Sequence, residues 1–376
     1  MILIYIIIAV AFIDTFSQLP IIAPFALDIG ASPFLVGIII GMYSFANMLG
    51  NLLSGVWIDR IGSKRILYVG MLSVGVIIFF YSIVSHPYEL LVVRFFHGMA
   101  GGLIVPAAFT FLGSRGQRAE NGRTMAFSGA GVGIAAIVGP AIGAIVSGRF
   151  GYDLLFYFIS SLMIVFGVLA IIFLREKREL KTHTVKHNTF PKLKELVPAY
   201  LSIFLLMYTL GLLTYSLPLK VIDLNLKTEL TGILLSVFGL VAILIFVLPT
   251  NKVFDQLKKT RLMISGLIVI SIALLYLAFA LTLSHMIVAM AIYGIGFALI
   301  FPSASGTVIE RTKEKERGKA FGLFYAFFSL GVICGSFFAG LFSFFPAYQF
   351  VIGTMFVLFT VSTYTIAMLW KKSIRK

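Results

Sequence analysis

Two pairs of polar side chains interrupt long apolar runs. The first is Asp14 with Gln18 in AFIDTFSQLP, four residues apart and so on one face of a helix. The second is Arg94 with His97 in LVVRFFHGMAGG, three apart. Of the fifteen acidic residues, Asp14 alone falls deep inside an apolar run. Burial disfavours the charged form of a carboxylate, so such a side chain can take up and release a proton; a fixed polar contact between helices is the alternative. An arginine at the centre of a membrane helix costs roughly 2.5–3.5 kcal/mol and normally faces a cavity or a partner, the alternative being snorkelling to a nearby surface. A histidine can titrate near neutral pH, or serve as a plain hydrogen-bonding group. At 1.5 Å per residue, Arg94 falls roughly 10 Å nearer the outer face than Asp14. His97, one turn deeper, is the better-placed neighbour.

The elements that must position these groups are membrane spans. The chain has 376 residues, 60% hydrophobic and 12% charged. A soluble domain carries roughly 25% charged residues, so one water-soluble core is excluded. Apolar runs long enough to cross roughly 30 Å of hydrocarbon are expected near 3–26, 33–54, 66–85, 90–112, 124–147, 152–174, 197–219, 230–250, 262–283, 286–308, 320–343 and 347–370. The reading is an all-α integral membrane protein with twelve spans. The start lacks a basic n-region and a small-residue cleavage site, so no cleaved signal peptide is expected. Twenty-six of the thirty Lys and Arg fall in the even-numbered connections, the 6–7 segment and the C-terminal tail, which places both termini in the cytoplasm. The net charge of +15 is therefore a topology signal, and no nucleic-acid partner is expected. The single Cys334 excludes an internal disulfide and a cysteine metal cluster.

Residues 175–196 form the one long polar stretch, read as a cytoplasmic linker between six-helix bundles at 1–174 and 197–376. At a constant offset of 196, Asp59 and Arg65 match Asp255 and Arg261, Pro106 matches Pro302, Glu120 and Gly122 match Glu316 and Gly318, and Gly139 matches Gly335. Duplicated halves are a recurrent carrier design, with the substrate site between them and alternating access by rocking.

GVWIDRIGSKR (55–65) carries Gly55, Asp59, Arg60, Gly62 and Lys64, two glycines and one acid in a basic loop. It resembles the hallmark G-x-L-x-D-R-x-G-R-K loop of the major facilitator superfamily, with Trp57 and Ser63 departing from the pattern. The resemblance implies a conformational latch of Gly55, Asp59, Arg60, Gly62 and Lys64 with Glu120 and Arg123 as partners. Arg94 and Gly98 resemble the R-x-x-Q-G-x-G pattern of proton-coupled members, with His97 in place of Gln. Gly139, Pro140 and Gly143, in a glycine-rich span, resemble the G-P-x-x-G-G antiporter motif, with Ala144 replacing the last glycine. Tight helix packing alone is the other reading of that run. Asp14, Gln18 and Pro20 resemble the acidic motif of exporter first helices.

Over essentially the whole chain the resemblance is to the twelve-helix drug:proton antiporters. It implies export of lipophilic or cationic compounds in exchange for protons across the cell membrane. A monomer is expected, and with no catalytic constellation in the sequence neither an enzyme nor a cofactor or metal is expected. Gln18, Tyr208, Tyr215, Tyr293, Phe297 and Tyr325 are the candidate substrate-cavity residues, since aromatic walls with few fixed hydrogen-bonders suit planar cations and apolar compounds. A dedicated exporter of a siderophore, sugar or amino-acid derivative is the alternative. A nutrient importer is a third reading, which the Gly139–Pro140 run argues against. No nucleotide-binding glycine loop and no zinc cluster is visible.

Overall fold

The computed structural model describes residues 2–113, 121–175, 193–247, 257–313, 316–343 and 346–374. Among these, the regular elements are helices: α1 (Ile2–Gln18), α2 (Ile22–Asp28), α3 (Pro33–Ile61), α4 (Ser63–Tyr81), α5 (Pro87–Gly113), α6 (Asn121–Phe150) and α7 (Tyr152–Phe173). They are followed by α8 (Leu193–Asp223), α9 (Leu230–Val247), α10 (Lys259–Ala278), α11 (Leu283–Arg311), α12 (Arg317–Leu341) and α13 (Pro346–Ile374). Ten are long and apolar enough to cross a bilayer, eleven if α1 and α2 count as one span. The sequence suggests twelve. The difference lies at α9, whose Leu230–Phe246 is a shorter apolar helix and whose downstream residues fall outside those described.

Local chemistry explains the breaks. The span expected at 3–26 is bent by 48° between α1 and α2. Pro20 has no N–H, so Phe16 loses its donor four residues on, and Leu19 N–H reaches the Phe16 carbonyl instead at 3.3 Å. Gly62 joins α3 to α4 alone, at φ +93°, a left-handed conformation that a side chain disfavours. Ser32 caps α3 by accepting from Leu35 N–H, and Pro33 follows at the first helical position. Pro106 and Pro302 lie inside α5 and α11 at the shared offset.

The helices form two compact units, residues 1–188 with 225–236, and residues 189–224 with 237–376. In the first, α3 packs on α5, α1 on α6, and α4 on both α5 and α7. In the second, α8 packs on α12, and α10 on both α11 and α13. The repeat reaches individual contacts. A methyl placed on Gly70 would lie 2.9 Å from Ile104 Cγ1, 3.2 Å from Leu103 Cβ and 3.3 Å from the Ala100 carbonyl. On Gly266 it would lie 2.6 Å from Ile300 Cγ1, 3.1 Å from Leu299 Cβ and 3.0 Å from the Gly296 carbonyl. Each residue of the second set is 196 beyond its counterpart. Small residues at such crossings let backbones approach, which drives association where lipid removes the hydrophobic difference between helix and surroundings.

Candidate functional site

Four helices of the first unit meet around the two polar pairs. From α1 come Asp14 and Gln18, with relative exposures of 2% and 5%. From α5 come Arg94 and His97, at 5% and 0%. The end of α4 adds Tyr81, fully buried, and α3 adds Tyr43 and two backbone carbonyls. Arg94 Nη1 donates to Gln18 Oε1 at 2.8 Å, and Gln18 Nε2 donates to Asp14 Oδ1 at 2.8 Å. Asp14 Oδ2 stands 3.0 Å from His97 Nε2, and His97 Nδ1 stands 2.9 Å from the Tyr81 hydroxyl. The result is a continuous chain, Arg94–Gln18–Asp14–His97–Tyr81.

Its direction follows from donor and acceptor capacity. Arginine has donors only, so the glutamine oxygen must face it, which turns the amide nitrogen to the carboxylate. Arg94 also donates from Nε to the Ile39 carbonyl at 3.3 Å and from Nη2 to the Ile40 carbonyl at 3.4 Å. Its Cζ lies 4.7 Å from the centre of the Tyr43 ring. These contacts replace water around a buried guanidinium, and the ring face adds a cation–π attraction. Arg94 thus reaches Asp14 through Gln18, whereas His97 touches the carboxylate directly. Gln18 is committed to this chain.

Tyr43 and Tyr81 were not legible as site residues. Tyr43 Oη shares a hydrogen bond with Thr15 Oγ1 at 3.2 Å, and its ring packs 4.9 Å from the imidazole. Both tyrosines are brought in from other helices, so no spacing in the sequence marks them.

The glycine run of α6 lies against α1. A methyl on Gly139 would sit 2.7 Å from Phe16 Cβ and 3.4 Å from the Ile13 carbonyl. On Gly143 it would collide with the Ser17 carbonyl oxygen. These contacts bracket Asp14, so the run positions the helix that carries the carboxylate. Pro140 lies inside α6. One residue beyond the carbonyl that a proline leaves without its donor, Ile137 accepts from Ser236 Oγ at 2.5 Å.

The remaining sequence assignments are placed separately. Asp59 and Arg60 are exposed at the end of α3 and form no ion pair among the described residues. A methyl added to Gly55 would meet none of those residues within 4 Å. Lys64 donates to the Ile171 carbonyl at 2.8 Å. Glu120 lies outside the described residues, as does the side chain of Arg123. In the second unit Tyr208 is buried, its ring 4.8 Å from that of Phe356, and Tyr215 is buried on the same helix. Tyr293 shares a hydrogen bond with Thr209 at 3.0 Å. Phe297 is half-buried and stacks on Phe301, while Tyr325 is 48% exposed beside Phe328. An apolar cleft lined by Pro198, Leu205, Met263, Leu267, Val361 and Tyr364 includes none of these aromatic residues. Among the described residues, no group of three His, Cys, Asp or Glu could hold a metal ion.

A multi-helical membrane fold of two units with repeated packing is a recurrent carrier design. The family model of the Major Facilitator Superfamily matches residues 4–199 and again 199–375, and the chain belongs to that superfamily. An uncharacterized MFS-type transporter of Methanocaldococcus jannaschii is 23% identical over 327 residues, covering 84% of each chain. Multidrug resistance protein 2 of Bacillus subtilis is 22% identical over 342 residues, covering 87% of this chain and 84% of its own. Among solved structures, a bacterial homolog of the human lysosomal transporter Spinster, inward-facing and occupied, superposes with a TM-score of 0.82. It shares 13% identity over 98% of this chain and 96% of its own, a likeness of fold.

Proposed function

We propose that the protein exports small lipophilic or cationic compounds from the cell in exchange for protons. The observation that carries this reading is the buried Asp14–His97 pair, 3.0 Å apart on two helices of one unit. A carboxylate facing an imidazole can hold or release one proton at modest cost, because the partner stabilises either form. The Gly139–Pro140–Gly143 run against α1, and the relative named a multidrug resistance protein, support export as the direction.

In this reading twelve spans cross the cell membrane with both termini cytoplasmic, and residues 1–174 rock against 197–376. Asp14 takes a proton from the outer side and releases it inward, and substrate binding competes with the protonated form. Each inward proton contributes about 2.3 kcal/mol per 100 mV of membrane potential, plus the pH gradient. The aromatic residues of the second unit, Tyr325 and Phe297 foremost, supply the surface for planar compounds.

The test is Asp14→Asn, with export followed in everted vesicles energised by respiration. Substrates come from a growth screen of a pump-deficient expressing strain against dyes, antibiotics and metabolites. Proton-driven export should be lost while the protein remains folded. Full activity in the variant removes Asp14 from the mechanism, and efflux unchanged by a protonophore overturns the coupling.

A further inference from the structure

We propose that Tyr81 is a positioning residue of the proton site: its hydroxyl donates to His97 Nδ1 while the pair is carboxylate beside neutral imidazole, and accepts from Nδ1 once the pair has taken up a proton. The inference rests on the reading of Asp14 and His97 as that site.

Tyr81 is the last residue of α4 and is fully buried. Its ring stands at 88° to the imidazole, with centroids 5.6 Å apart, and packs 5.0 Å from the Phe156 ring on α7. The hydroxyl is therefore held at Nδ1 by packing on two sides. The ionisable groups facing the imidazole are Asp14 from α1, Tyr43 from α3 and Tyr81 from α4; Arg94, on α5 itself, bonds Gln18 and also interacts directly with the Tyr81 hydroxyl. Tyr43 offers its ring, since its hydroxyl is engaged with Thr15. Among the described residues, Tyr81 is the hydrogen-bonding group at Nδ1.

The donor count then fixes the states. With Asp14 ionised and His97 neutral, Nε2–H donates to Oδ2, so Nδ1 carries its lone pair and accepts from the phenol. Uptake of one proton from solvent forms an N–H bond at Nδ1. Where the Nε2–H bond stays intact, the product is imidazolium beside carboxylate. Where it breaks as an O–H forms at Oδ2, the product is neutral imidazole beside carboxylic acid. The pair gains one positive charge in both forms, and both present Nδ1–H to Tyr81. A phenol satisfies either direction by turning its own hydrogen; phenylalanine satisfies neither. A buried N–H without an acceptor is costlier than a lone pair without a donor, so losing the hydroxyl penalises the protonated form more.

The experiment is ¹⁵N NMR of the full chain in lipid nanodiscs with labelled histidine, the His97 signals among the five histidines assigned by their loss in His97→Gln. At alkaline pH His97 should be the Nε2–H tautomer, and acidification should add the hydrogen at Nδ1. Tyr81→Phe should move that midpoint to lower pH by about one unit, a tenfold change in proton affinity. An Nδ1–H tautomer at alkaline pH in the unsubstituted protein overturns the proposal, and so does an unmoved midpoint in Tyr81→Phe. If that variant fails to fold, the tautomer of the unsubstituted protein decides. The coupling reading fails separately, through full proton-driven export by Asp14→Asn.

Discussion

Replacing Gly143 by alanine tests whether the glycine run of α6 holds α1 in place at the Asp14–His97 pair. The added methyl would collide with the carbonyl oxygen of Ser17 and lie 2.7 Å from its carbonyl carbon and 2.9 Å from its Cα. All three are backbone atoms, so no change of rotamer relieves the clash and the helices must part. Overpacking typically costs about 1–3 kcal/mol, and a clash with backbone argues for the upper end. Alanine returns about 1 kcal/mol of helix propensity, leaving a net loss of about 2 kcal/mol. For a domain of about 150–250 residues that lowers Tm by about 4–8 °C. Ser17 is three residues from Asp14, so parting α1 from α6 also displaces the carboxylate relative to His97, now 3.0 Å away.

The assay is thermal unfolding of the purified protein, paired with proton-driven export in everted vesicles. Two controls separate packing from coupling. Gly55→Ala should leave Tm unchanged or slightly raised, since nothing described stands within 4 Å of its new methyl. Gly335→Ala, whose methyl would collide with the Tyr208 carbonyl oxygen in the second unit, should lower Tm by a similar amount. Its pH profile of export should keep its position. Gly143→Ala with the Tm and export of the unsubstituted protein would refute the reasoning.

Arg94→Lys keeps the charge but cannot fork to Gln18 and the Ile39 and Ile40 carbonyls together. Initial export rates should fall about tenfold, the effect of losing one to two of the three hydrogen bonds that fix the guanidinium against Gln18; an unchanged rate would show that Gln18 needs no such clamp. Tyr293→Phe removes the 3.0 Å bond to Thr209 and should cost about 1 kcal/mol in unfolding measurements. The pH profile of export should be unmoved, because the substitution lies in the unit without Asp14.

Depth along a helix was legible, because the rise per residue is fixed; hence His97, and not Arg94, could be placed beside Asp14 from residue counts alone. The apolar spans and the offset of 196 were legible for the same reason, as both are periodic in the chain. Gln18 reads as a substrate-cavity residue because spacing shows a face but not what fills it; the Arg94 fork that claims its amide oxygen comes from 76 residues away. Tyr81 ends a span, where an aromatic residue ordinarily reads as part of the interfacial belt. Only the packing of Phe156 and His97 around it reveals a buried hydroxyl. The break between α1 and α2 was hidden by its apolar composition, although Pro20 and Pro24 both lie near it.

The duplicated frame and the charged chain are separable. The offset that maps Gly70 onto Gly266 also maps Asp14 onto Leu210, Gln18 onto Thr214, Arg94 onto Met290 and His97 onto Tyr293. Thr214 bonds the Leu210 carbonyl within its own helix, and Tyr293 bonds Thr209, so the second unit satisfies these polar groups without charge. Removing one member of a buried charged set strands the others at about 3–5 kcal/mol, which makes the set all-or-none within a unit. A helix crossing has no such condition, since each glycine contact stands alone. Repetition therefore persists in the contacts between helices and in the loop charges, and ends at the buried set of Asp14, Arg94 and His97. A single buried set of charged side chains confined to one unit is what this physics favours.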